Sequence, residues 1–198
     1  LYTNILLLNP DERIRSLVIS SATPGEGKST TAIYLAQAAA ALGQRVLLVD
    51  ADLRLPQLHN RLELDNVTGL STVISSELDF ERVVQKSLLD GNLSILTSGQ
   101  VPPDPTKLLS SRKMQKLMEQ FKAVYDLIIY DMPPILGLAD VKLLALQTDG
   151  VVIVVGLDQA KTSMVTQALE ALKPSSIQIL GAVANGSKES VSTVYNSY

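Results

Sequence analysis

Cysteine is missing altogether from the 198-residue sequence. Disulfides and thiolate metal sites are therefore excluded, which is compatible with a reducing cytoplasm. Histidine occurs once, as His59. With no companion histidine or cysteine, it is read as a surface or loop-packing residue and not as a metal ligand. Long apolar runs are missing too. Stretches such as residues 151–155 (VVIVV) fall far short of the roughly 20 residues a helix needs to cross a bilayer. No secretory signal is visible, and the first residue is Leu1 and not Met, so the sequence is read as a fragment. An excess of either sign of charge is missing as well. The 17 Lys and Arg against 20 Asp and Glu leave a net charge of −3, which gives no general attraction to nucleic acid. What is present, 46% hydrophobic and 19% charged residues, is the composition of a globular chain long enough for one domain with a substantial core.

The most informative stretch is SATPGEGKST, residues 21–30. It follows an apolar run at residues 16–20 that reads as a buried strand. It leads into an Ala- and Leu-rich segment without breakers until Gly43, which reads as a helix. Strand, glycine-bearing turn and helix form the context of a phosphate-binding loop, although Ala22 stands where the strict G-x-x-x-x-G-K-[ST] pattern has its first glycine. The glycines permit close backbone approach, and successive N–H groups and the helix N-terminus favour phosphate oxygens. Lys28 is placed to reach the β- and γ-phosphates, and Ser29 to offer its hydroxyl to Mg²⁺.

Further strands are expected at residues 45–52, 93–96, 126–131, 150–155 and 177–183. Helices are expected over 107–121 and 163–172, with a short polar helical stretch after Pro56 and amphipathic helices in the middle region. Tyr34, among apolar neighbours on the phosphate-loop helix, is expected in the core. Buried apolar strands alternating with helices predict an α/β fold with a mainly parallel sheet covered by helices on both faces. In such sheets ligands bind outside the carboxyl ends of the strands. The phosphate loop, Asp50, Asp52 and Asp131 all fall just past such ends and are expected to converge. Asp131 closes an apolar strand, which suits a Walker B carboxylate holding Mg²⁺ directly or through water. Asp50 and Asp52 share one face if the strand geometry persists through both. One then orients metal-bound water while the other faces the γ-phosphate.

At these residues the sequence resembles the cytoplasmic kinase domain of the bacterial protein-tyrosine kinases, or BY-kinases, a family associated with capsular and exopolysaccharide export and chain-length control. The resemblance covers nearly the whole chain. It rests on ATPGEGKST (22–30) as Walker A, VLLVDADLR (46–54) as the family-distinctive Walker A′ and LIIYDMPP (127–134) as Walker B. LRLPQLH (53–59), PPDPTKLL (102–109) and the tyrosines near the end are supporting matches. The resemblance implies a P-loop NTPase architecture of the deviant-Walker, ParA/MinD-like kind over residues 1–185, with a flexible tyrosine-bearing tail over 186–198.

It also implies roles. ATP and Mg²⁺ are the cofactors. Lys28, Asp50 and Asp52 are catalytic. Pro24, Gly25, Glu26, Gly27, Lys28, Ser29 and Thr30 cradle the nucleotide, and Asn185 in GAVANG takes the position that contacts adenine. Ser29 and Asp131 organise the metal, and Tyr195 and Tyr198 are the phosphoacceptors. Arg54 contacts phosphate or substrate, or else pairs with a neighbouring acid. The implied partners are ATP and ADP, the chain's own tail or that of a neighbouring subunit, a membrane activator of polysaccharide export, and further copies in a homo-oligomer. The implied location is cytoplasmic, at the inner face of the plasma membrane through a segment or partner outside this chain. The family's E-x-x-R-x-x-R oligomer motif precedes a T-N-I segment. Thr3, Asn4 and Ile5 match that segment, but Tyr2 stands where the last arginine belongs, so a ring held by that motif is not expected.

Two other functions fit parts of the pattern. A partition- or septum-type ATPase switch shares Walker A but carries an extra lysine near its start, where this chain has Thr23. A nucleotide-binding regulator of an exporter without turnover has no need for Lys28, Ser29 and all three aspartates together.

Overall fold

Residues 1–7, 13–76, 78–87 and 90–186 are described by a computed structural model. Along the chain run α1 (Tyr2–Leu7), β1 (Ser16–Ser21), α2 (Lys28–Ala41), β2 (Val46–Asp50), α3 (Leu58–Leu62), α4 (Leu70–Ser75), β3 (Gln85–Lys86) and β4 (Leu93–Leu96). They are followed by α5 (Pro105–Leu109), α6 (Arg112–Val124), β5 (Leu127–Asp131), α7 (Asp140–Ala145), β6 (Val151–Gly156), α8 (Thr162–Leu172) and β7 (Ile179–Asn185). The strands form one sheet in the order β3-β4-β2-β5-β1-β6-β7. All pairings are parallel except that of the two-residue β3 with β4.

Strand pleating sorts the apolar residues into two cores, because successive side chains point to opposite faces. Leu17, Ile19, Val46, Leu48 and Ile129 join one layer with α1 and α2. Val18, Leu47, Val49, Ile128 and Tyr130 join the other, with α4, α6, α7 and α8. Burial on both faces is why these strands read as continuous apolar runs.

On α2, the residues Ala32, Ala36, Ala39 and Ala40 form the face against the sheet, each at most 1% exposed. Their spacing of four, three and one fixes the helix rotation. Tyr34, half a turn away, is consequently 67% exposed and not a core residue. Tyr2 of α1 is buried in this same layer. On α6, Met114, Leu117, Met118 and Phe121 form the buried stripe, and Phe121 meets Phe80 edge to face at a centroid distance of 5.0 Å.

The single helix expected over 107–121 is two helices. Asp104 caps α5 by accepting from Lys107 N–H, Pro105 occupies its first turn, and Ser111 caps α6 by accepting from Met114 N–H. The strand expected over 45–52 ends at Asp50. The expected last strand lies two residues later, at Ile179–Asn185.

Candidate nucleotide site

Strand β5 pairs with β1 on one side and β2 on the other, so the carboxyl ends of three neighbouring strands form one edge. The phosphate loop leaves β1 at that edge. Gly25 and Gly27 adopt left-handed φ values of 85° and 92°, which turn the loop into the start of α2 at Lys28. The first N–H groups of α2 have no acceptor within the helix and lie at its positive end.

The loop is tied to the neighbouring strand ends. The Glu26 carboxylate, 1% exposed, accepts from Thr23 N–H at 2.6 Å, from the Thr23 hydroxyl at 2.8 Å and from Gly156 N–H at 3.1 Å. Glu26 therefore shapes the loop from inside. Asn185, the last residue of β7, donates from Nδ2 to the Glu26 carbonyl at 3.0 Å. The fit is close enough that a Cβ on Gly27 would lie 2.0 Å from that nitrogen. Pro24 and Gly25 are exposed at the turn.

Lys28 Nζ lies 3.2 Å from Asp52 Oδ2, with both side chains largely buried. Asp52 stands beyond the end of β2, so it shares no strand face with Asp50. Its other oxygen accepts from the N–H groups of Arg54 at 3.3 Å and Leu55 at 3.0 Å. Asp50, fully buried, accepts through Oδ2 from the N–H groups of Gln57 and Leu58 at 3.2 and 3.0 Å. Asp50 and Asp131 are register partners across β2 and β5. In each of them the Oδ1 atom is buried with no hydrogen-bond partner.

Burial, followed by the charge of Asp131, pushes Asp50 up to about 7 despite the Leu58 N–H. Burial pushes Asp131 up to about 6 against the opposing pull of Lys28 and the Ser29 hydroxyl. Two buried carboxylates with free oxygens beside a lysine and a serine hydroxyl fit a hard divalent cation. Mg²⁺ takes one or two carboxylates, a hydroxyl, waters and phosphate oxygens. Among the described residues no three His, Cys, Asp or Glu side chains gather into a metal centre made by protein alone.

A cleft of about 400 Å³ opens here, lined among others by Lys28, Ser29, Asp52, Leu55, Gln57 and Arg61. A larger groove of about 660 Å³, between α4 and the residues around Pro102 and Pro103, contains neither Lys28 nor any of the three acids.

Arg54 does not line this cleft. Its guanidinium bonds the Asp140 carboxylate at 2.6 and 3.1 Å and the Thr106 hydroxyl at 3.0 Å. Sequence reasoning missed Asp140, 86 positions away from Arg54. It also missed Arg61, whose Nη1 donates to the Thr30 hydroxyl at 2.9 Å. Neither carries a local signal, since each is an ordinary charged residue on a short helix. Tyr195 and Tyr198 lie outside the described residues.

Residues 14–179 match the AAA domain family. In sequence the chain is 42% identical to the tyrosine-protein kinase YwqD of Bacillus subtilis (strain 168), over 99% of this chain and 82% of that protein. The chain belongs to the bacterial tyrosine-protein kinases. In structure this kinase chain superimposes on the chimerical protein CapA2B2 with a TM-score of 0.88 and 34% identity, covering 92% of this chain and 80% of that one. The septum site-determining protein MinD from Pyrococcus horikoshii OT3, complexed with Mg-ADP, matches with a TM-score of 0.73 and 26% identity, over 89% of this chain and 72% of that one. The fold is thus that of the P-loop NTPases, whose fold implies nucleotide binding. The kinase chain spans only 22% to 25% of the length of several other curated relatives that it matches. Among the described residues no helix is long and apolar enough to cross a membrane.

Proposed function

We propose that this kinase binds MgATP in the cleft at the ends of β1, β5 and β2 and transfers the γ-phosphoryl group to tyrosine hydroxyls of a C-terminal tail. Tyr195 and Tyr198 are the acceptors, on the same chain or on a neighbouring copy. The observation that carries the reading is the contact of Lys28 Nζ with Asp52 Oδ2, next to the unpartnered Oδ1 of Asp131. One cation and the acids that flank it stand at a single rim.

The N–H groups of residues 25–30 and Lys28 hold the phosphates. Ser29 and Asp131 hold the magnesium, with Asp50 behind them, and Asn185 lies beside the loop where the base would sit. Bound there, the ion offsets charge developing on the phosphate oxygens. The phosphates compete with Asp52 for Lys28, and the freed Asp52 turns to the acceptor. Tyrosine ionises near pH 10 and Asp near 4, so proton removal before transfer would be uphill by roughly 8 kcal/mol. A loose transition state makes early deprotonation unnecessary. The tyrosine oxygen bonds to the γ-phosphorus as the bond to the β–γ bridging oxygen breaks. The proton passes late to Asp52, and ADP leaves.

The resemblance to a family associated with capsular and exopolysaccharide export, with relatives named the putative tyrosine-protein kinases CapB and EpsB, supports a regulatory role in polysaccharide synthesis and export, and the resemblance alone supports a membrane activator as partner. The test is mass spectrometry of the purified chain after incubation with MgATP, with phosphate expected on Tyr195 and Tyr198. The likeness to MinD supports a second reading, an ATPase switch. Against it, Thr23 stands where those ATPases carry a lysine and spends both its donors on Glu26. Phosphate release without any phosphotyrosine would favour that alternative.

A further inference from the structure

The segment that carries Asp52, residues 51–57, belongs to neither a strand nor a helix. Its shape is set by side chains. Asp52 Oδ1 is held by the N–H groups of Arg54 and Leu55, so the position of the carboxylate follows the position of the Arg54 backbone. The Arg54 side chain is in turn fixed at its far end. Its Nε meets Asp140 Oδ2 at 2.6 Å, and its Nη2 meets Asp140 Oδ1 at 3.1 Å and the Thr106 hydroxyl at 3.0 Å. The Thr106 hydroxyl donates to Asp140 Oδ1 at 3.0 Å. The Asp140 side chain is 1% exposed while that of Arg54 is 36% exposed, so the anchor point is interior and the arm reaches out from it. A planar, two-point guanidinium–carboxylate pair fixes direction as well as distance, which a single surface charge contact does not.

We propose that Asp140 and Thr106 are positioning residues for Asp52, acting through Arg54. The first residue of α7 and the second of α5 together hold the loop so that the Asp52 carboxylate stays within reach of Lys28 and of an incoming hydroxyl. The inference rests on the reading of Asp52 as the group that receives the tyrosine proton. It assigns a task to three residues that touch neither nucleotide nor acceptor in that reading. Misplacement of Asp52 lowers turnover and leaves the phosphate loop, and hence nucleotide affinity, intact.

The experiment compares the wild-type chain with Asp140→Asn, Arg54→Ala, their double variant and Thr106→Val. It measures kcat for tyrosine phosphorylation, KM for MgATP and hydrogen exchange at the Arg54 and Leu55 amides. Asp140→Asn is expected to lower kcat about tenfold while KM for MgATP stays within about twofold, and to speed exchange at both amides. The double variant is expected to be no slower than the worse single variant, because both remove one linkage. Wild-type kcat and exchange in Asp140→Asn would overturn the proposal. So would a KM that rises as much as kcat falls, or losses that multiply in the double variant. Should Asp140→Asn fail to fold, Thr106→Val keeps the ion pair and is expected to show the same changes at smaller size, and its silence would count against the proposal equally. A wild-type chain that forms no phosphotyrosine defeats the kinase reading, and amide exchange then decides the positioning question independently.

Discussion

Asp50 and Asp131 are register partners at the ends of β2 and β5, and each buries one carboxylate oxygen that meets no hydrogen-bond donor. Packing alone gives no reason for this, because two neighbouring buried carboxylates destabilise each other's charged forms. Their shared edge with Lys28 and Ser29 supplies the reason, since a cation bound there would satisfy both free oxygens.

The ligand-free protein is expected to lose stability as pH rises. Asp50 is pushed up to about 7 and Asp131 to about 6, first by burial. Unfolded carboxyls titrate near 4, so the folded state keeps protons that the unfolded chain has released. The stability linked to these protons is complete below about pH 4 and is lost as pH climbs through 6 and 7. Thermal melts between about pH 5.5 and 8 should show Tm falling, and Asp50→Asn should flatten the slope and raise Tm at the alkaline end. An unchanged slope in that variant would assign the effect elsewhere. The Arg45–Asp126 pair does not interfere. Hydrogen bonds from Arg45 hold Asp126 well below the usual carboxylate range, so its contribution disappears only as pH falls below that range.

Lys28→Met should reduce phosphotyrosine formation by at least about a hundredfold, as expected for removing a cation that meets developing charge. The measurement is quantitative anti-phosphotyrosine blotting with time. Labelling at the wild-type rate would take the phosphate loop out of the mechanism.

Gly27→Ala should destabilise the fold and weaken nucleotide binding together. A left-handed φ of 92° costs an alanine roughly 1–2 kcal/mol, and the added Cβ would run into Asn185 Nδ2. Removing the obstacle in the double variant with Asn185→Ala should relieve the clash and leave the strain, together with the loss of the Asn185–Glu26 hydrogen bond. Urea titration of the two variants separates these contributions.

Glu26→Ala should cost roughly 3 kcal/mol, since it strips the acceptor from the partly buried donors of Thr23 and the buried N–H of Gly156. Glu26→Gln keeps one carbonyl acceptor and should lose less. Calorimetric titration with MgATP should rank affinity as wild type, Gln, then Ala. Equal affinity in all three would mean that the loop holds its shape without the clamp.

Local pattern carried much of this protein. The phosphate loop was legible because strand, glycine turn and helix are coded within residues 16–42, and the parallel sheet because strands buried on both faces must be apolar throughout. The pattern does not reveal the Ser110–Ser111 break between α5 and α6, because Ser111 serves as a helix cap and a serine looks the same in sequence inside a helix as at its start. Tyr34 lies outside the core that its apolar neighbours suggest because the alanines beside it, and not its own hydrophobicity, set the rotation of α2.

The sequence by itself determined that the phosphate loop and the acids follow the carboxyl ends of parallel strands, and thus that Lys28, Ser29, Asp50, Asp52 and Asp131 lie near one sheet edge. Tertiary structure alone decided how they are used there. It turned Glu26 inward as a clamp, set Asp52 beyond the strand and against Lys28, and gave Arg54 to Asp140 across 86 positions. Contacts between elements depend on how helices and loops dock on the sheet, and that geometry is a property of the packed whole which no short stretch of chain encodes.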